Sequence, residues 1–471
     1  MLLTDKEILR RINNLVSGKE FVYSVECDKW FSYNDIWYRA HCLTQKLEEK
    51  MCNSIVAVLE NGIDLFVLYF ACMLSNITII PVDPRKADHE IQEIIRENPQ
   101  AIIIRKQNEI FTNSSSENFN IQDIQYRINR IDLHKMYMIT YTSGSTGHAK
   151  GVVHCLKNLF LSADAFGRAT GLNDSYTMCH VMPMTYMAGV LNTIIMPFYF
   201  GCKIALLPRF DVMTAVSFWK TVEKHKITAF WLSPTMLNIL MTVDRKATIR
   251  NYLQQHKTLF YVGTAPLFRD IRERFETKYG IKLLQSYGLS ETLFISTETP
   301  DDDFKADTVG KVLSDVILSV SDDGEIKIKV PWVFLQYSNE NTKRYFCGDY
   351  YISGDLGRID DGYLYITGRK KDLIIKGGMN ISPSQIEDCI NKMELVEECA
   401  VAGIVIRNEE NIVCWYVGDI DNKEINKEIN KIIENSLGRH CKIDIFEKVS
   451  EIPRNLNGKI NKQKLIEEYS K

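Results

Sequence analysis

The residues with the clearest chemical potential lie in one short segment, YTSGSTGHAKGV, which runs from Tyr141 to Val152. Glycines let a backbone approach an anion closely, hydroxyl and amide groups donate hydrogen bonds to it, and Lys150 adds a positive charge. This composition indicates a cradle for a polyphosphate, although it differs from the Walker pattern, in which Gly-Lys-Ser/Thr closes a longer loop. A Ser/Gly-rich surface loop is the plain alternative. The candidate phosphate ligands are Thr142, Ser143, Gly144, Ser145, Thr146, Gly147 and Lys150.

The elements that must position this segment alternate between short apolar runs and longer stretches with helical spacing. Ile55–Leu59 and Ile77–Val82 are examples of the short runs. Such alternation predicts an α/β fold with largely parallel sheets. The phosphate segment follows the apolar Met136–Tyr141 and precedes a helical pattern that begins at Leu156, so we predict that it crosses from a strand to a helix. From about Ser319 onward, shorter strand-like pieces predict a small β-rich subdomain.

Length and composition limit the functional classes. A chain of 471 residues suggests two or more domains, and 57 basic against 60 acidic residues leave no positive field for nucleic acid or an anionic membrane. The twelve cysteines occur singly, without a C-x-x-C pair, which argues against a zinc site or a disulfide framework and for a reducing compartment. The most apolar segment, Leu65–Leu74, is shorter than the roughly 20 residues that span a bilayer and predicts a buried helix. We therefore expect a cytoplasmic protein with neither nucleic acid nor membrane as a partner.

Four further motifs follow the phosphate segment in order. They are QSYGLSET (Gln285–Thr292), YISGDLGRID (Tyr351–Asp360), GYLYITGRKKDLIIKGGMNISPSQIED (Gly362–Asp388) and IPRNLNGKINK (Ile452–Lys462). The five together resemble the ordered core motifs of the adenylate-forming superfamily, which includes acyl-CoA synthetases, free-standing adenylation enzymes of peptide synthetases and firefly-type luciferases. The resemblance implies a large N-terminal domain, residues 1–370, with mixed sheets flanked by helices and a small β-rich subdomain. It also implies a small mobile α+β C-terminal domain, residues 371–471.

The resemblance assigns nucleotide-binding roles residue by residue. Glu291 would hold Mg²⁺, a hard cation that prefers carboxylate and phosphate oxygens. Asp355 would accept hydrogen bonds from both ribose hydroxyls, and Arg369 would contact the ribose and support the phosphate. Tyr287 would stack on adenine, and Ser290 keeps the hydroxyl of the threonine that is commoner at its position. The other expected ATP or AMP ligands are Gly263, Thr264, Ala265, Ser286 and Gly288.

The resemblance also assigns residues to catalysis and to domain movement. Lys459 would stabilise the negative charge that develops when a carboxylate attacks the α-phosphorus of ATP. Lys371 matches the hinge between the two domains, and Gly377-Gly378 matches the loop that lines the thiol channel after rotation. Ala149 departs from the family pattern, in which proline precedes the loop lysine, and this predicts a more mobile loop.

The acyl pocket would be formed by the segment HVMPMTYMAGVLN, His180 to Asn192. Tyr186 occupies the aromatic or histidine position of the family's fourth motif, and Met187, Gly189 and Val190 would line the pocket. Adenylation enzymes for α-amino acids usually carry Phe-Asp at this place, and those for siderophore aryl acids usually carry His-Asn. The pair Tyr186-Met187 matches neither and favours a neutral, largely apolar acyl or aryl acid. We interpret His154 and His180 as structural, because neither has neighbours at metal-ligand spacing.

The sequence thus predicts an ATP- and Mg²⁺-dependent acid–thiol ligase that forms acyl-AMP and passes the acyl group to a thiol. The thiol is either coenzyme A, which we favour, or the phosphopantetheine of a carrier protein acting in trans. Two alternatives remain at this stage: a free-standing enzyme that loads an acyl or amino acid onto a carrier protein, and an inactive nucleotide-binding relative. The identity of the acid and the oligomeric state cannot be predicted from these motifs.

Overall fold

The computed structural model of the protein describes residues 2–105, 120–142, 149–244, 246–376, 378–391, 393, 396–406, 409–418, 422–455 and 459–469. Helices and strands alternate through most of this part of the chain, and the predicted α/β fold class is confirmed. None of the helices in the described ranges has the length and apolar composition needed to cross a membrane.

The strands and helices have the following bounds. The strands are β1 (Glu20–Ser24), β2 (Lys29–Ser32), β3 (Ser54–Val58), β4 (Thr78–Val82), β5 (Ile102–Ile104), β6 (Met136–Thr142), β7 (Lys150–Cys155), β8 (Thr177–His180), β9 (Lys203–Leu206), β10 (Ala229–Leu232), β11 (Leu259–Val262), β12 (Leu283–Leu289), β13 (Leu293–Thr297), β14 (Lys311–Val312), β15 (Ile317–Val320), β16 (Glu325–Lys329), β17 (Gln336–Tyr337), β18 (Phe346–Cys347), β19 (Tyr350–Asp360), β20 (Tyr363–Arg369), β21 (Ile374–Lys376), β22 (Met379–Ile381), β23 (Glu398–Ile406), β24 (Glu409–Val417) and β25 (Ile445–Lys448). The α-helices are α1 (Asp5–Asn14), α2 (Tyr33–Glu49), α3 (Ile63–Ser75), α4 (Asp88–Glu97), α5 (Ile121–Ile128), α6 (Leu156–Thr170), α7 (Met196–Tyr199), α8 (Val212–Lys224), α9 (Pro234–Val243), α10 (Arg250–Gln255), α11 (Arg269–Tyr279), α12 (Pro383–Ile390), α13 (Asn422–Leu437) and α14 (Lys462–Tyr469). A π-helix, Ala188–Ile195, leads directly into α7.

The first large sheet has the strand order β17-β7-β6-β4-β3-β5. Its strands β3 and β4 are parallel, and nearly every residue in them is buried, which is typical of parallel strands covered by helices on both faces. The apolar segment Leu65–Leu74 lies in α3, between these two strands, and is buried as predicted.

The described ends of the phosphate segment lie on two antiparallel strands rather than at a strand-to-helix crossing. β6 and β7 pair antiparallel, with Thr142 opposite Lys150. The predicted crossing is therefore wrong, because Val152 and Val153 extend a second strand before α6 begins at Leu156. Two adjacent β-branched residues favour a strand, and this was the available sequence signal.

The second large sheet runs in the order β15-β16-β19-β20-β14-β13-β12-β11-β10-β8-β9-β1-β2, with β18 paired to β19. Strands β9, β8, β10, β11 and β12 pair parallel with one another in that order, and the register places Leu232, Val262 and Gln285 side by side at the carboxyl ends of β10, β11 and β12. In open α/β sheets, ligands bind outside this edge. Several motifs meet at this place.

Strand β12 changes partners along its length. It is parallel to β11 as far as Gln285 and antiparallel to β13 from Ser286 onward. At Gly288 a Cβ would lie 2.1 Å from the carbonyl oxygen of Leu293, so the close approach of the two backbones requires glycine. The β-rich region predicted from about Ser319 is present, and its antiparallel strands continue the same sheet.

The residues after Lys371 form their own buried clusters. One cluster contains Ile374, Ile386 and Ile429, and a second contains Trp415 and Leu465; every member described for either follows Lys371. Residues Ser382 and Ser384 both donate to the carbonyl oxygen of Thr367, at 2.8 and 3.1 Å, across the proposed junction. The domain boundary at Lys371 stays a prediction.

Candidate active site

Two of the predicted nucleotide residues, Tyr287 and Arg369, contact the carboxylate of a third, Asp355. Its Oδ2 accepts a hydrogen bond of 2.5 Å from the hydroxyl of Tyr287, and its Oδ1 accepts one of 3.0 Å from Nε of Arg369. Asp355 is only 3% exposed, and a buried carboxylate is costly unless donors satisfy it. Because an ionised carboxylate has about four acceptor positions, these two bonds leave room for two more donors.

Three strands supply this arrangement. Asp355 and Arg369 are cross-strand partners in the β19–β20 pair, and Tyr287 reaches them from β12. Burial, reinforced by the Asp355 carboxylate, raises the pKa of Tyr287 well above its ordinary value, so the phenol remains a donor at physiological pH. The structure therefore brings to Asp355 two residues, Tyr287 and Arg369, that lie 68 and 14 positions from it in sequence.

The turn that carries Ser290 and Glu291 is fixed through its carbonyl groups. The carbonyl oxygen of Ser290 accepts a hydrogen bond of 2.7 Å from Nε2 of His154, and that of Glu291 accepts one of 2.8 Å from the backbone N–H of Phe334. The indole N–H of Trp332 donates to the carbonyl oxygen of Thr292 at 2.9 Å. Burial lowers the pKa of His154 to about 4, so the ring is neutral near pH 7 and its Nε2 carries the proton. His154 lies in β7 and has a structural role, as interpreted from the sequence.

Two tyrosines that the sequence did not single out orient Glu291. The hydroxyl of Tyr337 donates to Oε1 of Glu291 at 2.6 Å and lies 3.0 Å from the hydroxyl of Tyr351. Burial, together with the Glu291 charge, raises the pKa of Tyr337 far above its ordinary value. Tyr351 begins the motif that contains Asp355, but Tyr337 lies in none of the five motifs, so the sequence carried no signal for it.

Lys150, at one end of the phosphate segment, contacts residues that lie between β17 and β18. Nζ of Lys150 donates to the hydroxyl of Tyr345 at 2.6 Å and lies 3.5 Å from Glu340. Thr142 is half-buried, and its hydroxyl contacts the carbonyl oxygen of Lys150 at 3.4 Å. The predicted ligands between them, Ser143, Gly144, Ser145, Thr146 and Gly147, lie outside the described residues.

Gly263, Thr264 and Ala265 follow β11 at the carboxyl edge of the sheet. A Cβ at Gly263 would lie 3.1 Å from Oγ of Ser286 and 3.4 Å from Cζ2 of Trp231, so a side chain at this buried position would be crowded. Thr264 has a φ of +73°, a strained conformation for a β-branched residue and one that occurs preferentially at functional sites.

Asn61 and Tyr69 hold the predicted acyl segment through hydrogen bonds to its backbone, and we call these contacts the clamp. The amide of Asn61 donates to the carbonyl oxygen of Met182 at 2.7 Å and accepts from the N–H of Met184 at 2.8 Å, while the Tyr69 hydroxyl donates to the carbonyl oxygen of Met184 at 2.6 Å. His180 is fully buried beside Thr193, and burial lowers its pKa to about 3, which agrees with a structural role.

The predicted lining residues follow this clamp. Tyr186 is half-buried, while Met187, Gly189 and Val190 are buried. At Gly189 a Cβ would lie 1.9 Å from the carbonyl oxygen of Pro183, which makes glycine necessary at the start of the π-helix.

Lys459 makes two hydrogen bonds with Asn455, and residues 456–458 between them lie outside the described residues. Asn455 accepts from the N–H of Lys459 through its side chain at 3.0 Å, and its own N–H donates to the Lys459 carbonyl at 2.8 Å. The preceding Arg454 donates to the hydroxyl of Thr235 at 3.1 Å. Because Thr235 follows β10 closely, this contact places Arg454 near the carboxyl edge of the large sheet.

The hinge prediction concerns an exposed position. Lys371 lies in a single 3₁₀ turn, and the neighbouring Lys370 pairs with Asp323 at 2.7 Å and Glu325 at 2.8 Å. Gly378 has a φ of +77°, which favours glycine, whereas Gly377 lies outside the described residues.

The donor set at the turn suits magnesium better than a metal that needs a protein cage. Across the described part of the chain, no cluster of three or more His, Cys, Asp or Glu side chains could hold a metal ion. Mg²⁺ commonly uses one or two carboxylates together with substrate phosphates and water, and the oriented carboxylate of Glu291 meets that requirement.

The chain belongs to the AMP-binding enzyme family, whose model matches residues 12–338. It is 31% identical to the long-chain-fatty-acid–CoA ligase FadD13 of Mycobacterium tuberculosis over 70% of this chain and 67% of that protein. It is 26% identical to the 2-succinylbenzoate–CoA ligase of Oceanobacillus iheyensis over 92% and 93% of the two chains. The fold matches ATP-bound MatB from Rhodopseudomonas palustris with a TM-score of 0.85 and 23% identity, covering 98% of each chain.

The membership confirms the resemblance to the adenylate-forming superfamily. Enzymes of this family are AMP-forming ligases, so the prediction of an AMP-forming acid–thiol ligase is confirmed as well. The roles of individual residues stay predictions.

Substitution of Asn61 tests whether the clamp stabilises the acyl segment. Asn61→Ala leaves the Met182 carbonyl and the Met184 N–H without their partner, and each buried group left unsatisfied costs about 1–3 kcal/mol. We expect a lower thermal midpoint for this variant, measured by calorimetry. Asn34→Ala is the matched control, because the buried Oδ1 of Asn34 has no hydrogen-bond partner among the described residues. Equal losses in both variants would contradict the clamp.

Proposed function

We propose that the protein activates a neutral carboxylic acid with ATP and transfers the acyl group to the thiol of coenzyme A. In the first step a carboxylate oxygen attacks the α-phosphorus, which forms acyl-AMP and releases pyrophosphate. In the second step the thiol sulfur attacks the acyl carbon, which forms the thioester and releases AMP. The observation that carries the proposal is the convergence of Tyr287 and Arg369 on the buried carboxylate of Asp355.

The nucleotide is held by groups on both sides of β12 in this proposal. Asp355 uses its two remaining acceptor positions for the ribose hydroxyls, and the half-exposed Arg369 extends from it toward the phosphates. Tyr287 presents its ring to adenine while its hydroxyl stays on Asp355. Lys150 and the hydroxyls of the phosphate segment receive the β- and γ-phosphates.

Glu291 is the proposed magnesium ligand. Its carboxylate is oriented by Tyr337, and its backbone is anchored through Phe334. When bound, the cation neutralises phosphate charge and orients the triphosphate for displacement. Ser290 lies on the same turn, where its hydroxyl can donate to the α-phosphate.

The proposed acid is neutral because the groups assigned to its pocket offer no counter-charge. Tyr186, Met187 and Val190 line it, Gly189 allows the backbone to turn tightly beneath it, and each of these four carries no formal charge. An α-ammonium group or a second carboxylate would have to be buried there without a partner, which is costly.

Coenzyme A is the proposed acceptor because the aligned relatives FadD13 and 2-succinylbenzoate–CoA ligase are CoA ligases by name. A carrier-protein phosphopantetheine offers the same thiol and is the alternative acceptor. The twelve cysteines are all free thiols, which supports a reducing cytosol as the site of action.

A pyrophosphate-exchange screen tests the first step. Labelled pyrophosphate should enter ATP only when enzyme, Mg²⁺ and a suitable fatty, aryl or short-chain acid are all present. The accepted acids are then incubated with ATP and either coenzyme A or a phosphopantetheinylated carrier protein, and thioester is measured. Exchange that does not depend on any acid, or no exchange across the panel, would contradict the proposal.

Lys459 separates the two half-reactions. Lys459→Ala should reduce acyl-AMP formation by about 10²–10³-fold, since a charge that stabilises the transition state is lost. Thioester formation from pre-made acyl-AMP should be largely retained, because domain rotation carries Lys459 away. Lys464→Ala is the control: this exposed lysine lies in α14 with its Nζ 3.9 Å from Glu468. Equal loss of both half-reactions in Lys459→Ala would contradict the assignment.

Substitution at the proposed hinge, Lys371, should affect the two half-reactions in the opposite way to Lys459→Ala. Proline at position 371 would fix φ near −65° and restrict the preceding residue, so Lys371→Pro should retain adenylation and lose transfer to the thiol. The variant should accumulate enzyme-bound acyl-AMP in single-turnover assays with labelled ATP.

Lys371→Ala removes the same side chain without fixing φ, and we expect it to transfer at nearly the normal rate. Thermal midpoints of both variants show whether either has lost its fold. A stably folded Lys371→Pro that makes thioester at the unmodified rate would place the pivot elsewhere.

A further inference from the structure

A short connection, residues 338–345, joins the two large sheets. It begins after β17, which pairs with β7 of the first sheet, and it ends before β18, which pairs with β19 of the second. Its last four residues, Thr342–Tyr345, form a single 3₁₀ turn. Because strands of the two sheets flank it, the connection is held close to Lys150, the first residue of β7.

Asn339 fixes the backbone on both sides of Lys150. Its amide nitrogen donates to the carbonyl oxygen of Ala149 at 2.8 Å, and its side-chain oxygen accepts from the N–H of Gly151 at 3.3 Å. The N–H of Ser338 donates to the carbonyl oxygen of Gly151 at 2.8 Å. The side chain of Lys150 therefore extends from a backbone that the connection itself holds.

The ammonium of Lys150 lies against Tyr345. Its Nζ donates to the Tyr345 hydroxyl at 2.6 Å, lies 4.5 Å from the centre of that ring and is 3.5 Å from Oε2 of Glu340. An ammonium has three N–H donors, so the hydrogen bond to the phenol leaves donors for a further ligand.

Arg344 shares both of these partners. Its Nη2 donates to the Tyr345 hydroxyl at 2.6 Å and to Oε2 of Glu340 at 2.5 Å. Lys150 and Arg344 therefore contact the same hydroxyl oxygen, and the two charged nitrogens are at most twice 2.6 Å apart. Burial raises the pKa of Glu340, but the hydrogen bond from Tyr345 and the charges of Lys150 and Arg344 outweigh burial and lower that pKa below its ordinary value, so the carboxylate is ionised.

This cluster carries more positive than negative charge. Lys150 and Arg344 share the single carboxylate of Glu340, so one positive charge is left over within the cluster. Among the described residues, the hydrogen bonds of Arg344 use only Nη2, and its side chain is 56% exposed. The other guanidinium nitrogens are therefore accessible to an anion from solution.

The cluster also adjoins the proposed magnesium ligand. The rings of Tyr345 and Tyr337 pack edge to face with centroids 4.9 Å apart, and the hydroxyl of Tyr337 donates to Glu291 at 2.6 Å. One pair of tyrosines thus connects the two cations with the carboxylate that we assign to magnesium.

We propose that Arg344 is a second cationic ligand for the terminal phosphates of ATP, beside Lys150, and that Glu340 and Tyr345 position the two cations. The assignment rests on the proposed function, in which Lys150 receives the β- and γ-phosphates. A guanidinium binds two phosphate oxygens at once, whereas an ammonium acts as a point charge, so the two residues contribute differently. The same two cations hold the pyrophosphate that is released from the α-phosphorus.

A plain surface ion pair is the competing explanation. Arg344 and Glu340 are four residues apart in sequence, and exposed pairs of this kind contribute little to stability. Arg269 and Glu273 form an equivalent pair, in which Arg269 is 55% exposed and its Nε lies 2.7 Å from Oε1 of Glu273. None of the hydrogen bonds or ion pairs described for Arg269 involves Lys150, so Arg269→Ala is the matched control.

The test compares nucleotides with and without terminal phosphates. ATP and AMP are titrated by calorimetry, with Mg²⁺ present, into the unmodified protein, Arg344→Ala and Arg269→Ala. Arg344→Ala should bind ATP about tenfold more weakly, because a charge-assisted hydrogen bond is lost. It should bind AMP as the unmodified protein does, because AMP has neither a β- nor a γ-phosphate. Arg269→Ala should bind both nucleotides normally.

The reverse reaction gives a second measurement. In acid-dependent pyrophosphate exchange, Arg344→Ala should raise the KM for pyrophosphate by about tenfold and leave the KM for the acid unchanged. Tyr345→Phe keeps the ring beside Lys150 but removes the shared hydroxyl, and we expect it to raise the same KM by a smaller factor. An unchanged affinity for AMP shows that neither variant has lost its fold.

An Arg344→Ala variant that binds ATP as tightly as the unmodified protein, or that loses affinity for ATP and AMP equally, would overturn this inference. Equal losses of ATP affinity in Arg344→Ala and Arg269→Ala would do the same. Each of these results leaves the proposed function intact if the unmodified protein catalyses acid-dependent exchange. Absence of that exchange counts against the proposed function, whereas a loss confined to ATP in Arg344→Ala still supports the phosphate contact.

Discussion

The site depends on one buried carboxylate that is only partly satisfied by the protein. Asp355 lies almost out of solvent, and each of its oxygens accepts a single strong hydrogen bond. Removing the charge of Arg369 or the phenol of Tyr287 would leave a buried anion short of donors, so the three residues constrain one another. Because they come from β12, β19 and β20, this constraint also ties the antiparallel strands β19 and β20 to the strand at which the parallel part of the sheet ends.

A second constraint applies to the opposite side of β12. The turn at Ser290 and Glu291 has three successive carbonyl groups held by His154, Phe334 and Trp332. These donors come from the phosphate hairpin and from the segment before β17, so the proposed metal ligand and the proposed phosphate cradle are positioned together. Two tyrosines add further hydrogen bonds between these parts of the chain. Tyr345 accepts one from Lys150, and Tyr337 donates one to Glu291. The groups that we propose for phosphoryl chemistry are thus positioned around a single strand.

Much of the fold was predictable from sequence, but some contacts around the site were not. Parallel strands such as β3 and β4 can be predicted because they are short runs rich in β-branched residues. The order of the motifs indicated the family, and the comparisons confirm it. The sequence analysis predicted that the chain passes directly from β6 into a helix and missed β7, the strand that contains Val152 and Val153. A strand this short shows too few residues for its alternating pattern to be told apart from the helical pattern that follows. Tyr337 and Asn61 were missed for a different reason: each contacts a distant part of the chain, and a single sequence carries no record of such contacts.

The most direct test of the account measures what Asp355 binds. Affinities of the unmodified protein and of Asp355→Asn for ATP, 2′-deoxy-ATP and 3′-deoxy-ATP are determined by calorimetry in the presence of Mg²⁺. If Asp355 pairs with the ribose, the unmodified protein should bind each deoxy nucleotide about tenfold to a hundredfold more weakly than ATP, and Asp355→Asn should lose most of that discrimination. An unmodified protein that binds all three nucleotides equally, or an Asp355→Asn variant that discriminates as strongly as the unmodified protein, would contradict the account.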